Sequence, residues 1–321
     1  MRVFLTGAGG FIARAVAARL RDEGHQVGGV DLRADEAAGV VAGDITSDGA
    51  WLDAVTGADL VIHTAAVVSN AVGLDGQWRV NVGGTRKALD AAVRAGVPRF
   101  VHLSSIRAFS DLGFPDGVTE DHPVRLDGNP YVDTKIASEQ VVLQAHAEGR
   151  IAVTIVRPGD VYGPGSRPWT ILPVQLIKKF QFLLPAMGAG VFSPVYVDDL
   201  TGGLLLAARR SQGAGQIFTL TGGAGVSCKE FFGHYYRMLG RRGPWVAPTP
   251  VAVTVARVAG RAISLTGSAT EVNAVSMRYF ARTGTYSIEK AGRLLGYRPE
   301  VDLAEGMART ERWLRTQGLL P

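Results

Sequence analysis

An α/β fold, a parallel sheet covered by helices on both faces, is predicted by three features of this chain. Short apolar strands near Val3, Val27, Val40, Leu60, Val101 and Ile155 alternate with longer helical patterns. The first strand runs straight into a glycine turn and a helix. With 321 residues, 46% of them hydrophobic, the chain can bury a large core as one compact unit with a smaller second lobe.

The N-terminal elements carry the clearest chemistry. Arg2–Thr6 is a β-branched and apolar run, followed by Gly7–Ala8–Gly9–Gly10–Phe11–Ile12–Ala13 and then by helical apolar spacing through Val16 and Leu20. Gly7 permits a tight turn, and Gly10 lets a pyrophosphate approach the backbone at the positive end of the helix. Ala13 takes the third small position of the pattern. Asp31 closes the next strand, 24 residues past Gly7. That is about where an acid binds the ribose hydroxyls of an adenine dinucleotide, roughly 20 residues on. Asp31 favours a free 2′-hydroxyl and hence NAD, whereas an inward-turned Arg33 would meet the phosphate of NADP.

Beyond the sixth strand, Rossmann-like alternation gives way to Pro- and Gly-marked segments. Residues 1–160 are therefore expected to form the dinucleotide-binding core and 161–321 mainly a substrate lobe, with 195–220 returning to the core. Helices are expected at Asp198–Arg209, Lys229–Leu239 and Ala304–Thr316.

Tyr131 and Lys135 stand four residues apart at the start of a helix, on one face. A phenol ionises near pH ~10, so it becomes a useful base only when a cation stabilises its phenolate. Lys135 is placed to be that cation. A serine at the carboxyl end of a central strand, Ser105 or its neighbour Ser104, can donate a hydrogen bond to a substrate oxygen and hold it near the tyrosine. Counting back from Ala108–Phe109 favours Ser105.

Taken together, these residues resemble the extended short-chain dehydrogenases/reductases of NAD-dependent epimerase/dehydratase type, over nearly the whole chain. Further segments match in order. Gly43–Asp44–Ile45 is similar to the family's adenine-binding turn, and Val61–Ala66 to the strand end on the nicotinamide side, with Ala65 and Ala66 in contact. Asn81–Thr85 resembles the helix whose Asn81 stabilises the active-site wall. Val101–Ser105 resembles the strand of the catalytic serine, and Arg157–Pro164 with Pro194–Leu200 completes the set. The resemblance implies catalysis by Ser105, Tyr131 and Lys135. It places the cofactor against Gly7, Gly10, Phe11, Ile12, Asp31, Arg33, Asp44, Ile45, Ala65, Ala66, Asn81, Tyr131, Lys135 and Pro158. It also implies a homodimer through helices around Val80–Ala92 and Tyr131–Gln144.

Substrate clues are fewer. Family members acting on nucleotide-diphosphate sugars commonly carry an Asn at the position of Asp160 and an Arg shortly before the segment matching Val195–Asp199. Asp160 would repel a pyrophosphate, and Ser193–Pro194 offers no positive charge in exchange. Instead Trp169, Ile171, Leu172, Phe180, Phe182, Leu183, Leu184 and Trp245 suit a hydrophobic alcohol, although the same residues suit a packed core. Thr283–Lys290 and Leu295–Pro299 resemble the end of 3β-hydroxysteroid dehydrogenase-like members. Oxidation of a hydrophobic secondary alcohol is therefore expected. The alternative is a nucleotide-diphosphate-sugar epimerase or dehydratase using Arg157, Arg167 or Arg278. A non-catalytic dinucleotide-binding role would not need the Tyr–Lys–Ser set.

Several classes are set aside. The net charge of +5 comes from scattered basic residues with no aromatic-interleaved stripe, so no nucleic acid is expected. One cysteine, Cys228, excludes an internal disulfide and a cysteine-based metal cluster, and the six histidines show no ligand spacing. Met1 leads directly into the first strand, so a cytoplasmic enzyme is expected. Pro250–Leu265 is too short to span a membrane and contains Arg257 and Arg261. It reads as a packed helix, a roof over an apolar pocket, or a helix resting on a membrane without firm association.

Overall fold

The computed structural model describes residues 1–69, 71–111, 113–264 and 273–321. Its core begins with β1 (Arg2–Thr6), α1 (Phe11–Asp22), β2 (Gln26–Asp31) and β3 (Val40–Ala42). It continues through α2 (Trp51–Ala54), β4 (Leu60–His63), α3 (Leu74–Trp78), α4 (Thr85–Arg94), β5 (Arg99–Leu103), α5 (Pro130–Ala147) and β6 (Ala152–Pro158). β7 (Asp160–Tyr162), α6 (Leu172–Lys178), β8 (Leu183–Leu184), β9 (Val191–Phe192), β10 (Pro194–Tyr196) and α7 (Val197–Arg209) lead to β11 (Ile217–Leu220). β12 (Val226–Ser227), α8 (Cys228–Met238), β13 (Trp245–Val246), α9 (Thr249–Ser264), α10 (Ala274–Phe280), α11 (Glu289–Leu295) and α12 (Leu303–Thr316) complete the chain.

Seven parallel strands form the sheet in the order β11-β6-β5-β4-β1-β2-β3. All six expected strands are there, and β11 joins with Ile217 opposite Ile155. The order reverses between β1 and β4. Helices leave both neighbours in opposite directions there, which opens a crevice at the carboxyl ends of the strands. β4 and β5 are buried on both faces because helices cover each side. α1 presents Ala13, Val16, Ala17 and Leu20 to the sheet at helical spacing.

Trp51, Leu89, Phe100 and Val142 pack on one face of the sheet. On the other, a single apolar cluster begins at Val3 and Val16, passes Leu204 and Phe218, and continues to Phe192, Phe231, Tyr235 and Leu314 in the lobe. Ala88, Leu89, Ala92, Val132, Val142 and Ala145, on the helices expected to meet a second subunit, are already buried within the one chain. α9 covers the apolar stretch read from the sequence, except that Leu265 lies outside the described residues. Among the described residues no helix is long and apolar enough to cross a membrane.

Two histidines lie inside the sheet as neutral rings. Thr6 donates to His63 Nδ1 at 2.7 Å, His63 Nε2 donates to Thr85 at 2.8 Å, and Thr85 donates to the Asn81 carbonyl at 2.6 Å. His102 stacks on His63 at 5.5 Å and donates from Nε2 to Ser138 at 3.0 Å. Burial, reinforced by the Lys135 ammonium, depresses both rings, His63 to about 3. The unfolded chain protonates each histidine near pH ~6.5, while the folded chain resists until far lower pH. Stability is therefore lost as pH falls below that value, by up to about 1.4 kcal/mol per pH unit for each ring. The unfolding midpoint should drop steadily between pH 7 and pH 5, and His102→Gln should make that slope shallower. An unchanged slope in the variant would contradict this account.

Candidate active site

The crevice begins at the end of β1. Gly7 has φ +64°, and a Cβ there would lie 2.8 Å from the Ala65 Cα, so the turn needs glycine twice over. The Gly10 amide closes the turn on the Gly7 carbonyl at 2.9 Å. α1 then starts with no side-chain cap and no acid in its first turn. Its orphan amides face a chamber lined by Gly7, Gly10, Phe11 and Ile12, a cradle suited to phosphate. Asp31 accepts hydrogen bonds from the Gly9 and Leu32 amides at 2.9 and 2.7 Å, and it lines a neighbouring hollow with Gly9 and the exposed Arg33. These residues fit an adenine dinucleotide.

The remaining expected cofactor contacts divide between lining and support. Ala66 and Pro158 line the chamber, while Ala65 packs against Gly7. Asn81 accepts from the Val67 amide at 2.7 Å and donates to its carbonyl at 3.1 Å, with Thr134 3.0 Å away. A π-turn over Arg79–Gly84 aims it there and fixes the chamber wall. Asp44 accepts from the Thr46 amide at 2.8 Å, which holds its carboxyl below the usual range, and Ile45 is buried. Both stand clear of the chamber itself.

α5 brings up the tyrosine. Asn129 caps it by accepting from the Tyr131 amide at 3.0 Å, and Pro130 fills its first position. Tyr131, Ser105 and Lys135 line one chamber of about 300 Å³. Ser105 accepts from the Arg107 amide at 3.1 Å and its hydroxyl is near enough to the Tyr131 phenol to lower the phenol's pKa, whereas Ser104 donates to Glu139 at 2.6 Å. Ser105 is thus the serine beside the tyrosine. Lys135 Nζ donates to the Leu103 carbonyl at 2.8 Å and lies 5.9 Å from the Tyr131 ring centre. Burial depresses Lys135 to about 8, opposed by Glu139.

The cation nearest the tyrosine is one that sequence reasoning missed. Arg107 lies 5.0 Å over the Tyr131 ring and 4.9 Å from the Tyr279 ring, held by both oxygens of Asp111. Burial pushes the Tyr131 phenol up; the Arg107 guanidinium and the nearby Ser105 hydroxyl pull it back. A cation two residues past a strand-end serine was the available signal. The Asp111 carboxylate also accepts from Asn129 at 3.1 Å, tying the guanidinium to the cap of α5.

Two expectations about charge are corrected. Asp160 does not face the chamber as a free anion: it accepts from Arg282 at 2.8 Å, from Tyr279, and from the Ser193 amide at 2.9 Å. The Asp160–Arg282 pair is buried, so the expected repulsion of a pyrophosphate loses its source. Arg157 is likewise committed, forming two bonds to Glu139 at 2.8 and 2.6 Å beneath the site. Of the three arginines expected to hold phosphate, Arg167 lines the cavity beside the chamber, and Arg278 is exposed on α10.

Beside the chamber lies a cavity of about 430 Å³ sharing its Ala66, Arg107, Trp169 and Tyr279 walls. Trp169, Leu172, Phe182 and Leu183 line it as the sequence suggested, with Met277 and Phe280 from α10. Phe180 lines the next hollow, of about 340 Å³, under α9. Leu184 belongs to the packed interior, and Ile171 lines neither space.

Removing one member of the buried Asp160–Arg282 pair strands the other. Arg282→Met should cost about 3–5 kcal/mol in chemical denaturation. Adding Asp160→Asn should recover part of that loss, and strict additivity of the two losses would refute the coupling.

Comparison with known proteins follows the same lines. Residues 3–220 match the model of the NAD dependent epimerase/dehydratase family. The chain is 28% identical over 320 residues to a 3 beta-hydroxysteroid dehydrogenase/Delta 5→4-isomerase of Mycobacterium tuberculosis, covering 93% of this chain and 86% of that protein. It is 30% identical over 289 residues to a dTDP-glucose 4,6-dehydratase of Streptomyces antibioticus, covering 88% and 77%. Among solved structures, MoeE5 in complex with UDP-glucose and NAD superposes with a TM-score of 0.78 at 26% identity, covering 99% of both chains. With its uncapped α1 cradle and its Ser105–Tyr131–Lys135 chamber, the chain belongs to the NAD dependent epimerase/dehydratase family and is an NAD-dependent enzyme of the extended short-chain dehydrogenase/reductase type.

Proposed function

We propose that this enzyme interconverts a hydrophobic secondary alcohol and its ketone, with a hydroxysteroid-like ring alcohol as the leading class. The observation that carries the reading is the shared wall between the Tyr131 chamber and the apolar cavity beyond it. A ring system packed against Trp169, Leu172, Met277 and Phe280 would present its hydroxyl toward Ser105 and Tyr131. The hydroxysteroid relative at 28% identity supports the same class.

Ser105 donates a hydrogen bond to the substrate oxygen and holds it within reach of the phenol. Tyr131 takes the hydroxyl proton in oxidation and returns it in reduction. Arg107, 5.0 Å from the ring centre, favours its ionised form, and the Lys135 ammonium, 5.9 Å from it, would add to that. NAD, when bound, supplies the hydride acceptor, or as NADH the donor. The α1 amides would hold its pyrophosphate and Asp31 its adenosine ribose; Asp31 favours NAD over NADP.

A second reading, turnover of a nucleotide-diphosphate sugar, draws on Arg167 at the cavity wall and on the dTDP-glucose 4,6-dehydratase relative. Purified enzyme with NAD and a panel of steroid, aryl and aliphatic secondary alcohols, beside two nucleotide sugars, separates the two. Turnover of an apolar alcohol that falls by 100-fold or more in Tyr131→Phe, a loss on the scale of about 10²–10⁴ for general-base removal, is the expected result. Consumption of a sugar nucleotide with every alcohol inert would overturn it.

Arg107 sets the pH at which oxidation begins. Removing a cation beside a phenol raises the phenol's pKa. Arg107→Met should therefore move the acid limb of the kcat/KM profile for oxidation to higher pH, and an unmoved limb would remove Arg107 from this role.

A further inference from the structure

We infer that the edge of the substrate lobe formed by α9 and the loops at Phe180 and Trp245 docks reversibly on an anionic lipid bilayer. Three independent features meet there. The first is an exposed apolar surface: Val251, Val255 and Val258 form a stripe on the outer face of α9, Val258 64% exposed. Next to it Phe180, 63% exposed, stacks on Trp245 at 5.9 Å. Phe180 holds its position with φ +58°. A bulky side chain in that conformation is strained, and such strain concentrates where a surface is used.

The second feature is charge. Residues 176–183 and 241–257, which carry this edge, contain two and three Lys or Arg residues and not one Asp or Glu. The whole chain carries only +5, so its positive excess is gathered here, contrary to the scattered distribution expected from the sequence. Arg241 stacks on Phe180 at 4.3 Å and, with Arg242, lines a hollow together with Trp245. Cations framing apolar side chains complement a surface of anionic headgroups over acyl chains.

The third feature is a connection inward. The hollow beneath α9 is bounded by Phe180, Trp245, Val255 and Ala259, and it shares Leu176, Gln181, Phe182, Leu183 and Met277 with the cavity beside the Tyr131 chamber. Apolar walls thus run from the docking edge to the catalytic tyrosine. An acidic protein would match the charge but has no use for such a passage, whereas a bilayer stores apolar molecules beside the opening.

The test is sedimentation of the full chain with vesicles of phosphatidylcholine alone and of phosphatidylcholine mixed in equal parts with phosphatidylglycerol. Binding to the anionic vesicles at low salt, weakened at physiological salt, is expected. Val251→Asp/Val258→Asp and Arg242→Glu/Arg257→Glu should each reduce it by about tenfold while the unfolding midpoint and NAD affinity stay unchanged. No association with anionic vesicles, or equal association of both variants, would overturn the inference. So would light scattering that shows a dimer dissociated by these same changes, because the edge would then be covered by a second copy. The assay reads lipid binding without turnover, so it can fail while the dehydrogenase reading stands, and the reverse.

Discussion

The site depends on the register of α5 against β5 and β6. Glu139, Ser138 and Lys135 lie on the same helix face as Tyr131, and each is tied to the sheet: Glu139 to Arg157 and Ser104, Ser138 to His102, Lys135 to the Leu103 carbonyl. The Arg157–Glu139 pair is bidentate and sealed from water, so it resists sliding or rotation of the helix. Ser105 follows Ser104 directly. The contact that anchors one serine to the helix therefore places the next beside the phenol.

A second layer of charge surrounds that register. Arg107 is wedged between Tyr131 and Tyr279, and Asp111 fixes it while also touching the cap of α5. Tyr279 in turn reaches Asp160 and the Arg282 beneath it. Charges alternate in sign along this line, so the interior stays near neutrality while one cation is held against the phenol. The lobe thereby contributes electrostatically to the chamber as well as bounding it.

Much of this was legible in the sequence, for identifiable reasons. The β1–Gly7–α1 unit, the six strands and the Tyr131–Lys135 spacing are set by local rules of period and turn chemistry, which read directly along the chain. The roles of Asp160 and Arg157 were not legible. Their partners, Arg282 and Glu139, are 122 and 18 residues away, and only folding brings them together. Arg107 was hidden because one cation in a polar stretch has no period. The gathering of positive charge on one edge was hidden because it joins two segments separated in sequence by α7 and β11.

The apolar cluster that begins under β1 passes without a break into the aromatic interior of the lobe and on to Leu314 in α12. The lobe is therefore not a module resting on a finished platform. Exchanging it for that of a relative would cut through shared packing at Leu204, Phe218 and Phe231, leaving voids or clashes on both sides of the seam. A change of substrate range in this protein has to come through the side chains that line the passage, with the backbone that carries them left in place.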